Sequence, residues 1–183
     1  MAMHVTLPDQ RALAVRTLVA ADAEALKRFN ADLSPESRRH FTPHPYDDAT
    51  LAKLLARAEA GEDLLLGVFD GQRLVGYFFL WRYRQAVPLL GIALLDEYHG
   101  RGLGRQMMEI LIRHAKDADR DGVELTTMLD NDRAFALYQK VGFKYLGNVE
   151  NVQGEGKVVI ERGMFYAIKP GAKPTHGPHR PPV

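Results

Sequence analysis

Three glycines at alternate positions are the residues in this chain most clearly arranged for chemistry. Gly100, Gly102 and Gly104 lie between an apolar run at 89–95 and a segment with helical spacing at 105–118. Glycines at such a junction let main-chain N–H groups converge on an anion, and the helix N-terminus adds partial positive charge. A phosphate group is the expected ligand, although a turn that only reverses the chain can also be rich in glycine.

Two well-known nucleotide motifs do not match this spacing. A Walker A loop ends in Gly-Lys-Ser/Thr, whereas Gly104 is followed by Arg105 and Gln106. A dinucleotide fingerprint has a third glycine three residues after the second, and that position holds Arg105 or Met107, depending on the starting glycine. Neither class of nucleotide site is predicted.

The elements around this loop predict one α/β domain. Apolar periodicity predicts strands at 12–18, 64–69, 73–84, 89–95, 123–128, 143–149 and 158–168, and helices at 22–33, 35–41, 48–60, 105–118 and 132–141. Ser34 before Pro35 is a helix N-cap, and Asp70-Gly71 and the segment 154–156 are predicted turns. Residues 170–183, rich in Pro, Gly and His, are predicted to be an irregular tail after a domain at 1–169.

Two motifs and a short strand sequence resemble the GNAT superfamily of acetyl-CoA-dependent N-acetyltransferases. The run His99-Gly100-Arg101-Gly102-Leu103-Gly104 is similar to its pyrophosphate loop, Gln/Arg-x-x-Gly-x-Gly/Ala, with His99 in place of the usual first residue. The run from Asn131 to Phe143 is similar to the family's Asn-x-x-Ala-x-x-Leu-Tyr-x-x-x-Gly-Phe. Ile92-Ala93-Leu94 resembles the Ile-Ala-Val of the family's fourth strand.

The resemblance implies both the fold and the cosubstrate. The fold would be α/β (α+β), a GNAT-like single domain whose mixed, mostly antiparallel central sheet has about six to seven strands flanked by helices. That sheet would splay at the coenzyme site. Acetyl-CoA would be the cosubstrate, and no metal is expected.

The resemblance also implies which residues hold the coenzyme. The pyrophosphate would be bound by main-chain N–H groups from Gly100 to Arg105, and Ile92 to Leu94 would pair with the pantetheine arm. Asn131 would bond that arm, or equally cap the following helix. The full expected set is Ile92, Ala93, Leu94, His99, Gly100, Arg101, Gly102, Leu103, Gly104, Arg105 and Asn131.

The implied reaction is direct attack of a primary amine on the acetyl thioester in a ternary complex. Tyr138 occupies the position of the family's general acid, although a half-buried core tyrosine would fit the same helical stripe. The glutamate that family members often carry five residues before the motif asparagine is Thr126 here. Glu124, on the same strand face, is the candidate base, with an exposed edge carboxylate as its alternative role; His40 and His44 are weaker candidates.

Composition excludes several classes of function. The absence of cysteine excludes disulfides, thiolate metal sites and a cysteine nucleophile. The near balance of 24 Lys+Arg against 23 Asp+Glu offers no electrostatic footprint for nucleic acid, so no nucleic-acid partner is expected. No leader-like N-terminus and no run approaching about 18 apolar residues is present, so no membrane partner and a cytoplasmic location are expected.

The acceptor and two other functions stay open at this level. The expected partner is an amine-bearing small molecule or a peptide or protein acceptor, and a homodimer through Trp81, Tyr83 and Phe165 is an option beside their burial in the core. A non-catalytic acyl-CoA-binding sensor or interaction module is the main alternative to an enzyme. Thr126 favours that alternative and Tyr138 opposes it, while nucleic-acid binding by the basic tail is a third option.

Overall fold

The computed structural model describes residues 3–153, 156–175 and 181–183 of the chain. The strands are β1 (Met3–Thr6), β2 (Ala12–Thr17), β3 (Leu64–Asp70), β4 (Arg73–Trp81), β5 (Leu89–Leu94), β6 (Gly122–Met128), β7 (Lys144–Val152) and β8 (Val158–Ala167). The α-helices are α1 (Ala23–Asp32), α2 (Pro35–His40), α3 (Asp48–Glu59), α4 (Leu103–Asp117) and α5 (Asp132–Val141). Together they form a mixed α/β fold.

One open sheet joins the eight strands in the order β1-β2-β3-β4-β5-β6-β8-β7. Every neighbouring pair is antiparallel except β5 with β6, which run parallel. The register of β5 and β6 contains one pair, Leu89 with Glu124, whereas β4 and β5 are paired from Gly76 to Trp81. The sheet therefore splays between β5 and β6, as expected from the resemblance.

Helices cover the two faces of the central strands. On one face Tyr77 of β4 meets Phe29 of α1 edge to face, with ring centroids 6.3 Å apart. On the other face α4 packs against β4, β5 and β6 through a buried stripe that includes Met107, Leu111 and Ala115. This stripe repeats at helical spacing, so burying it fixes how α4 and its N-terminus face the sheet.

The predicted elements agree with the structure in type and order, with one strand missed. β1 has only one fully buried residue, Val5, so its pattern is too short to be recognised. A residue distant in sequence bonds the end of this strand. The Gln106 side chain of α4 accepts from the Thr6 N–H and donates to the Thr6 carbonyl, both at 2.8 Å. Within the part of the chain that the structure describes, the sheet therefore has eight strands, whereas about six to seven were expected.

Other differences lie at element ends. β4 ends at Trp81 because Arg82 takes a left-handed conformation (φ +54°) and donates its N–H to Asp63. The Asp70-Gly71 hairpin is confirmed, with Asp70 paired to Arg73. The turn predicted at 154–156 lies partly outside the described residues, as does the tail, whose described part contains no helix or strand. The domain boundary at 169/170 stays a prediction.

Two findings concern the described part of the chain as a whole. None of its helices is long and apolar enough to cross a bilayer. No group of three or more potential metal-ligating side chains occurs among the same residues.

Candidate active site

The N-terminus of α4 forms one end of an open cleft of about 450 Å³. Gly100 (φ +70°) and Gly102 (φ +77°) are left-handed, a conformation that side chains disfavour, and a Cβ at either position would meet no atom within 4 Å. α4 begins at Leu103, two residues earlier than predicted, and its N-cap Gly102 makes no side-chain capping bond. The first N–H groups of α4 thus have no intrahelical partner and can bind an anion.

Not every residue of the predicted loop faces the cleft. His99, Gly100, Gly102, Gly104 and Arg105 line it. The Leu103 side chain is fully buried in the core, so only its main chain could contribute. Arg101 is exposed, with its guanidinium carbon 6.0 Å from the ring centre of Tyr98, and it is absent from the cleft lining.

Two further basic residues line this end of the cleft and were missed from the sequence. They are Arg133 and Lys140, both on α5. Arg105 also lines the cleft, but its guanidinium donates to Glu109 at 2.8 Å, which offsets part of its charge. Both residues lie within the second motif, so the sequence contains a pattern that could have identified them. Their position beside the loop, however, depends on the packing of α5 against α4.

His99 ties the loop to the end of β5. Its Nε2 lies 3.0 Å from the Leu94 carbonyl oxygen, and since that oxygen can only accept, Nε2 carries the proton and donates. Burial lowers the pKa of His99, and the nearby Arg133 lowers it further, so the imidazole is neutral at pH 7. The residue that departs from the family motif therefore supports the loop through its side chain.

The edge of β5 forms the floor of the cleft. Ile92, Ala93 and Leu94 line it, beyond the single pair that joins β5 to β6. Main-chain groups left unpaired by a splayed strand can accept an extended ligand as an additional strand. An uncapped helix N-terminus at one end of such an edge fits a long ligand with a diphosphate, which is the shape of acetyl-CoA.

Asn131 has both of the positions foreseen for it. Its Oδ1 accepts from the Ala134 N–H at 3.3 Å and so caps α5. Asn131 also lines the cleft, so its amide NH₂ group is placed to bond a ligand.

Tyr138 lies on the cleft wall opposite β5. Only 7% of the residue is exposed, and its hydroxyl makes no hydrogen bond to any residue that the structure describes. Burial raises the pKa of Tyr138, and the nearby Glu161 carboxylate raises it further. The phenol is therefore protonated over the physiological range and has a proton to donate at neutral pH.

Glu124 is not brought to the cleft. It is 4% exposed rather than an exposed edge carboxylate, and it does not line either cavity beside Thr126. Its carboxylate accepts from the N–H of Thr175 at 3.0 Å and from the Thr175 hydroxyl. The sequence could not foresee this contact, because it depends on the tail returning over β6.

A second, smaller hollow of about 90 Å³ continues from the cleft on the far side of Thr126. The two cavities share His40, Phe41, Leu90, Gly91 and Thr126. One wall of the hollow is aromatic: the rings of Phe79 and Trp81 stack with centroids 4.2 Å apart, and Phe41 lies 6.2 Å from Phe79.

The opposite wall of the hollow is polar. Asn151 donates from Nδ2 to Thr126 Oγ1 at 3.0 Å and to Glu161 Oε2 at 2.7 Å. Asn151 and Glu161 were not identified from the sequence, because they lie on the final hairpin, whose pattern predicts only strands. Pro181 of the tail also borders the hollow.

Gly91 makes the aromatic wall possible. A Cβ at Gly91 would lie 2.1 Å from the Phe79 ring, a distance that real Cβ atoms do not tolerate. Phe79 and Gly91 are register partners on β4 and β5. The ring thus lies across the neighbouring strand, which only glycine permits.

The two candidate histidines have different environments. His40 lines both cavities, and its Nε2 donates to Asp130 at 3.1 Å. His44 is buried and lines neither: Nδ1 donates to the Pro45 carbonyl at 2.7 Å, and Nε2 accepts from the Tyr77 hydroxyl at 3.2 Å. Burial lowers the pKa of His44 to about 4, so it supports the wall as a neutral group.

Asp96 fastens α2, which supplies part of the cleft lining, to the turn that follows β5. It accepts from the hydroxyls of Ser34 and Ser37, each at 2.7 Å, and Ser37 lines the cleft. Burial raises the pKa of Asp96, but the hydrogen bonds from Ser37 and Ser34 outweigh it and bring the pKa to about 2. The helix beside the site is therefore held by an ionised carboxylate.

Trp81 and Phe165 are buried within the chain, so neither offers the dimer surface considered from the sequence. The residues beside the loop are also engaged: the Tyr98 hydroxyl donates to Asp70 at 2.8 Å and Glu97 pairs with Arg73 at 2.5 Å. These contacts give Tyr98 and Glu97 structural roles beside the loop.

Comparison with known proteins gives a consistent family. The model of the acetyltransferase (GNAT) family matches residues 26–143. N-alpha-acetyltransferase RimI of Mycobacterium tuberculosis is 31% identical over 144 residues, covering 76% of this chain and 83% of that protein. Mycothiol acetyltransferase of Corynebacterium efficiens is 31% identical over 110 residues, covering 56% of this chain and 36% of that protein. The chain thus spans about a third of this second relative.

A solved structure shows the same fold. The GNAT domain of S. lividans PAT superposes with a TM-score of 0.76 at 16% identity, covering 91% of this chain and 97% of that chain.

Proposed function

The chain belongs to the acetyltransferase (GNAT) family, and from that premise we propose that it moves the acetyl group of acetyl-CoA to a primary amine. The observation that carries the proposal is the continuous path from the uncapped N-terminus of α4, along the open edge of β5, to the Tyr138 hydroxyl. The diphosphate of the coenzyme would bind the N–H groups at that terminus, with Arg133 and Lys140 adding charge. The pantetheine arm would pair with Ile92 to Leu94 and bond Asn131.

Acetyl-CoA supplies the activated acetyl thioester. The main chain of β5 would polarise the thioester carbonyl, and Tyr138 would give its proton to the departing sulfur. A raised pKa keeps that proton on Tyr138 until charge develops on the sulfur. No residue has to form a covalent intermediate, which agrees with a chain that contains no cysteine.

The acceptor enters from the hollow beyond Thr126. The hollow is small, at about 90 Å³, and the stacked rings of Phe79 and Trp81 form one of its walls. The proposed acceptor is a primary amine on a narrow stem, carried by a small molecule or by a peptide or protein. The expected cytoplasmic location and the homodimer stay predictions.

The test is direct. The protein is incubated with acetyl-CoA and a panel containing dipeptides, linear alkylamines and an aminosugar, with free thiol measured over time and products identified by mass spectrometry. Acetyl-CoA binding is measured separately by calorimetry. We expect binding together with N-acetylation of the narrow amines.

The alternative functions give different results. Binding of acetyl-CoA with no acetylated product would favour a non-catalytic acyl-CoA sensor. The absence of binding would overturn both the enzyme and the sensor.

A further inference from the structure

We infer that Glu161 binds the ammonium group of the acceptor and takes up its proton, with Asn151 as the positioning residue; this rests on the proposed acetyl transfer. Thr126 stands at the position where the family often has glutamate. Glu161 brings a carboxylate to that place from another strand.

The first support is the contact between three strands. Thr126 lies on β6, Asn151 on β7 and Glu161 on β8, and the Asn151 amide bonds the other two side chains. In the register, Thr126 is opposite Gly163, two residues from Glu161 on the same face of β8. The Thr126 hydroxyl occupies little space, and Gly163 adds no side chain, so the carboxylate has room beside the hollow.

The second support is that Glu161 is buried without a cation. Only 6% of the residue is exposed, and it forms no ion pair with any residue in the described ranges. Two other buried carboxylates are paired with arginine: Asp22 with Arg16 and Asp63 with Arg57, each at 2.7 Å. Burying an unpaired carboxylate costs several kcal/mol, so an incoming ammonium group would be bound strongly.

The third support is that only one of the two Glu161 carboxylate oxygens accepts a hydrogen bond from a described residue. Oε2 accepts from Asn151, whereas Oε1 makes no hydrogen bond to a described residue and is not among the fully buried, unpartnered atoms. Oε1 is thus free to accept from a ligand in the hollow that Glu161 lines. Across the hollow, the stacked rings of Phe79 and Trp81 offer π-faces that favour a cation.

Glu161 also lies close to the proposed proton donor, Tyr138. Thr126 lines both the hollow and the main cleft, and Glu161 is near enough to Tyr138 for its charge to act on the hydroxyl. An amine held by Glu161 thus lies between the group that takes a proton and the group that gives one.

The protons balance as follows. Glu161 takes one proton from the ammonium group, directly or through a water molecule, and the nitrogen lone pair forms the bond to the carbonyl carbon. As the carbon–sulfur bond breaks, Tyr138 protonates the sulfur and regains a proton from the nitrogen. Glu161 then releases its proton to solvent, so an ammonium ion and a thioester give an amide, a thiol and one proton.

The experiment compares the wild type with Glu161→Gln at saturating acetyl-CoA, using a dipeptide whose α-amine has a pKa of about 8. At pH 7 we expect kcat/KM to fall by about a hundredfold in the variant. The ratio of wild-type to variant kcat/KM should become about tenfold smaller by pH 9.5, because the amine is already neutral at that pH. His40 and Tyr138 also face the site, but both are present in the two proteins, so the ratio isolates Glu161.

A second readout does not depend on turnover. Trp81 is the only tryptophan and lines the hollow, so its fluorescence reports dipeptide binding in the absence of acetyl-CoA. At pH 7, Glu161→Gln should weaken that binding by about tenfold, the usual loss for one charged hydrogen bond. Glu161→Asp keeps the negative charge on a shorter side chain, so its dipeptide affinity should lie between those of the wild type and Glu161→Gln.

Two controls complete the design. Glu150→Gln removes a carboxylate from the opposite, exposed face of the same hairpin and should match the wild type. Glu124→Gln removes the buried carboxylate that the sequence suggested, outside the lining of the hollow. A large loss in Glu124→Gln with none in Glu161→Gln would overturn the inference in favour of Glu124.

Other outcomes are equally decisive. A deficit in Glu161→Gln that is the same at every pH, with unchanged dipeptide binding, would reduce Glu161 to a structural role. A wild type that binds acetyl-CoA but acetylates no amine would instead defeat the proposed function.

Discussion

The two halves of the cleft are built by different means. The coenzyme half consists largely of main chain from short contiguous segments, 92–94 and 99–105. The acceptor half consists of side chains from four separate parts of the chain, Phe41, Trp81, Thr126 and Glu161. Recognition by main chain requires a local sequence that lets the backbone reach the ligand, so it leaves a readable motif. Recognition by scattered side chains leaves none.

Tyr138 lines the main cleft and lies near Glu161 of the hollow, and its removal should have the largest effect. Tyr138→Phe deletes the proton donor and little surface, so we expect kcat to fall by about 10²- to 10⁴-fold with acetyl-CoA affinity unchanged. Stopped-flow or steady-state turnover and calorimetry measure the two quantities. Unaltered turnover, with chemistry shown to limit the rate, would remove Tyr138 from the mechanism.

Acid should lower the free energy of unfolding through protonation of His44. This residue lies behind the aromatic wall of the hollow, with its ring centre 6.3 Å from that of Trp81. Its folded pKa of about 4 is below the unfolded value, so the unfolded chain binds the proton first. The His44 contribution to the free energy of unfolding is therefore complete above about pH 6.5 and declines as the pH falls to about 4. The total loss is about 3 kcal/mol.

Urea denaturation between pH 7 and 4 measures this loss through Trp81 fluorescence. His44→Gln cannot gain the proton and should show a flatter dependence on pH. His99 and His114 also have lowered pKa values, but they are common to both proteins. Equal slopes for the wild type and the variant would contradict the assignment to His44.

Gly102 tests the coenzyme half with a smaller expected effect. In Gly102→Ala the free loop should relax away from φ +77°, and restoring that conformation on binding costs about 1–2 kcal/mol, so acetyl-CoA affinity should fall by about 5- to 30-fold. Gly71→Ala is the matched control, because Gly71 is also left-handed in open space but lies in a hairpin outside the cleft. If calorimetry shows equal affinities for the two variants, the phosphate site is not at this loop.

Features set by residues close together in the chain were predictable from the sequence, whereas features that join distant residues were not. Helix α5 was predicted with its observed bounds, because Asn131 caps it and Gly142 ends it in a left-handed conformation. β1 was missed because Val5 is its only fully buried residue, and its contact with Gln106 joins positions 100 residues apart in the chain. Glu124 and Glu161 could not be ranked from sequence, since both are single acids in apolar strands.

The sequence by itself determined the order of the elements, the glycine loop and the place of Tyr138 on α5, because periodicity, backbone freedom and helix capping act over a few residues. Only the tertiary structure decided which carboxylate lines the acceptor hollow. That choice depends on strand register and on the return of Thr175 over β6, which bring together residues distant in the chain. Glu124 is thereby bonded to the tail, whereas Glu161 is buried with no cation among the described residues.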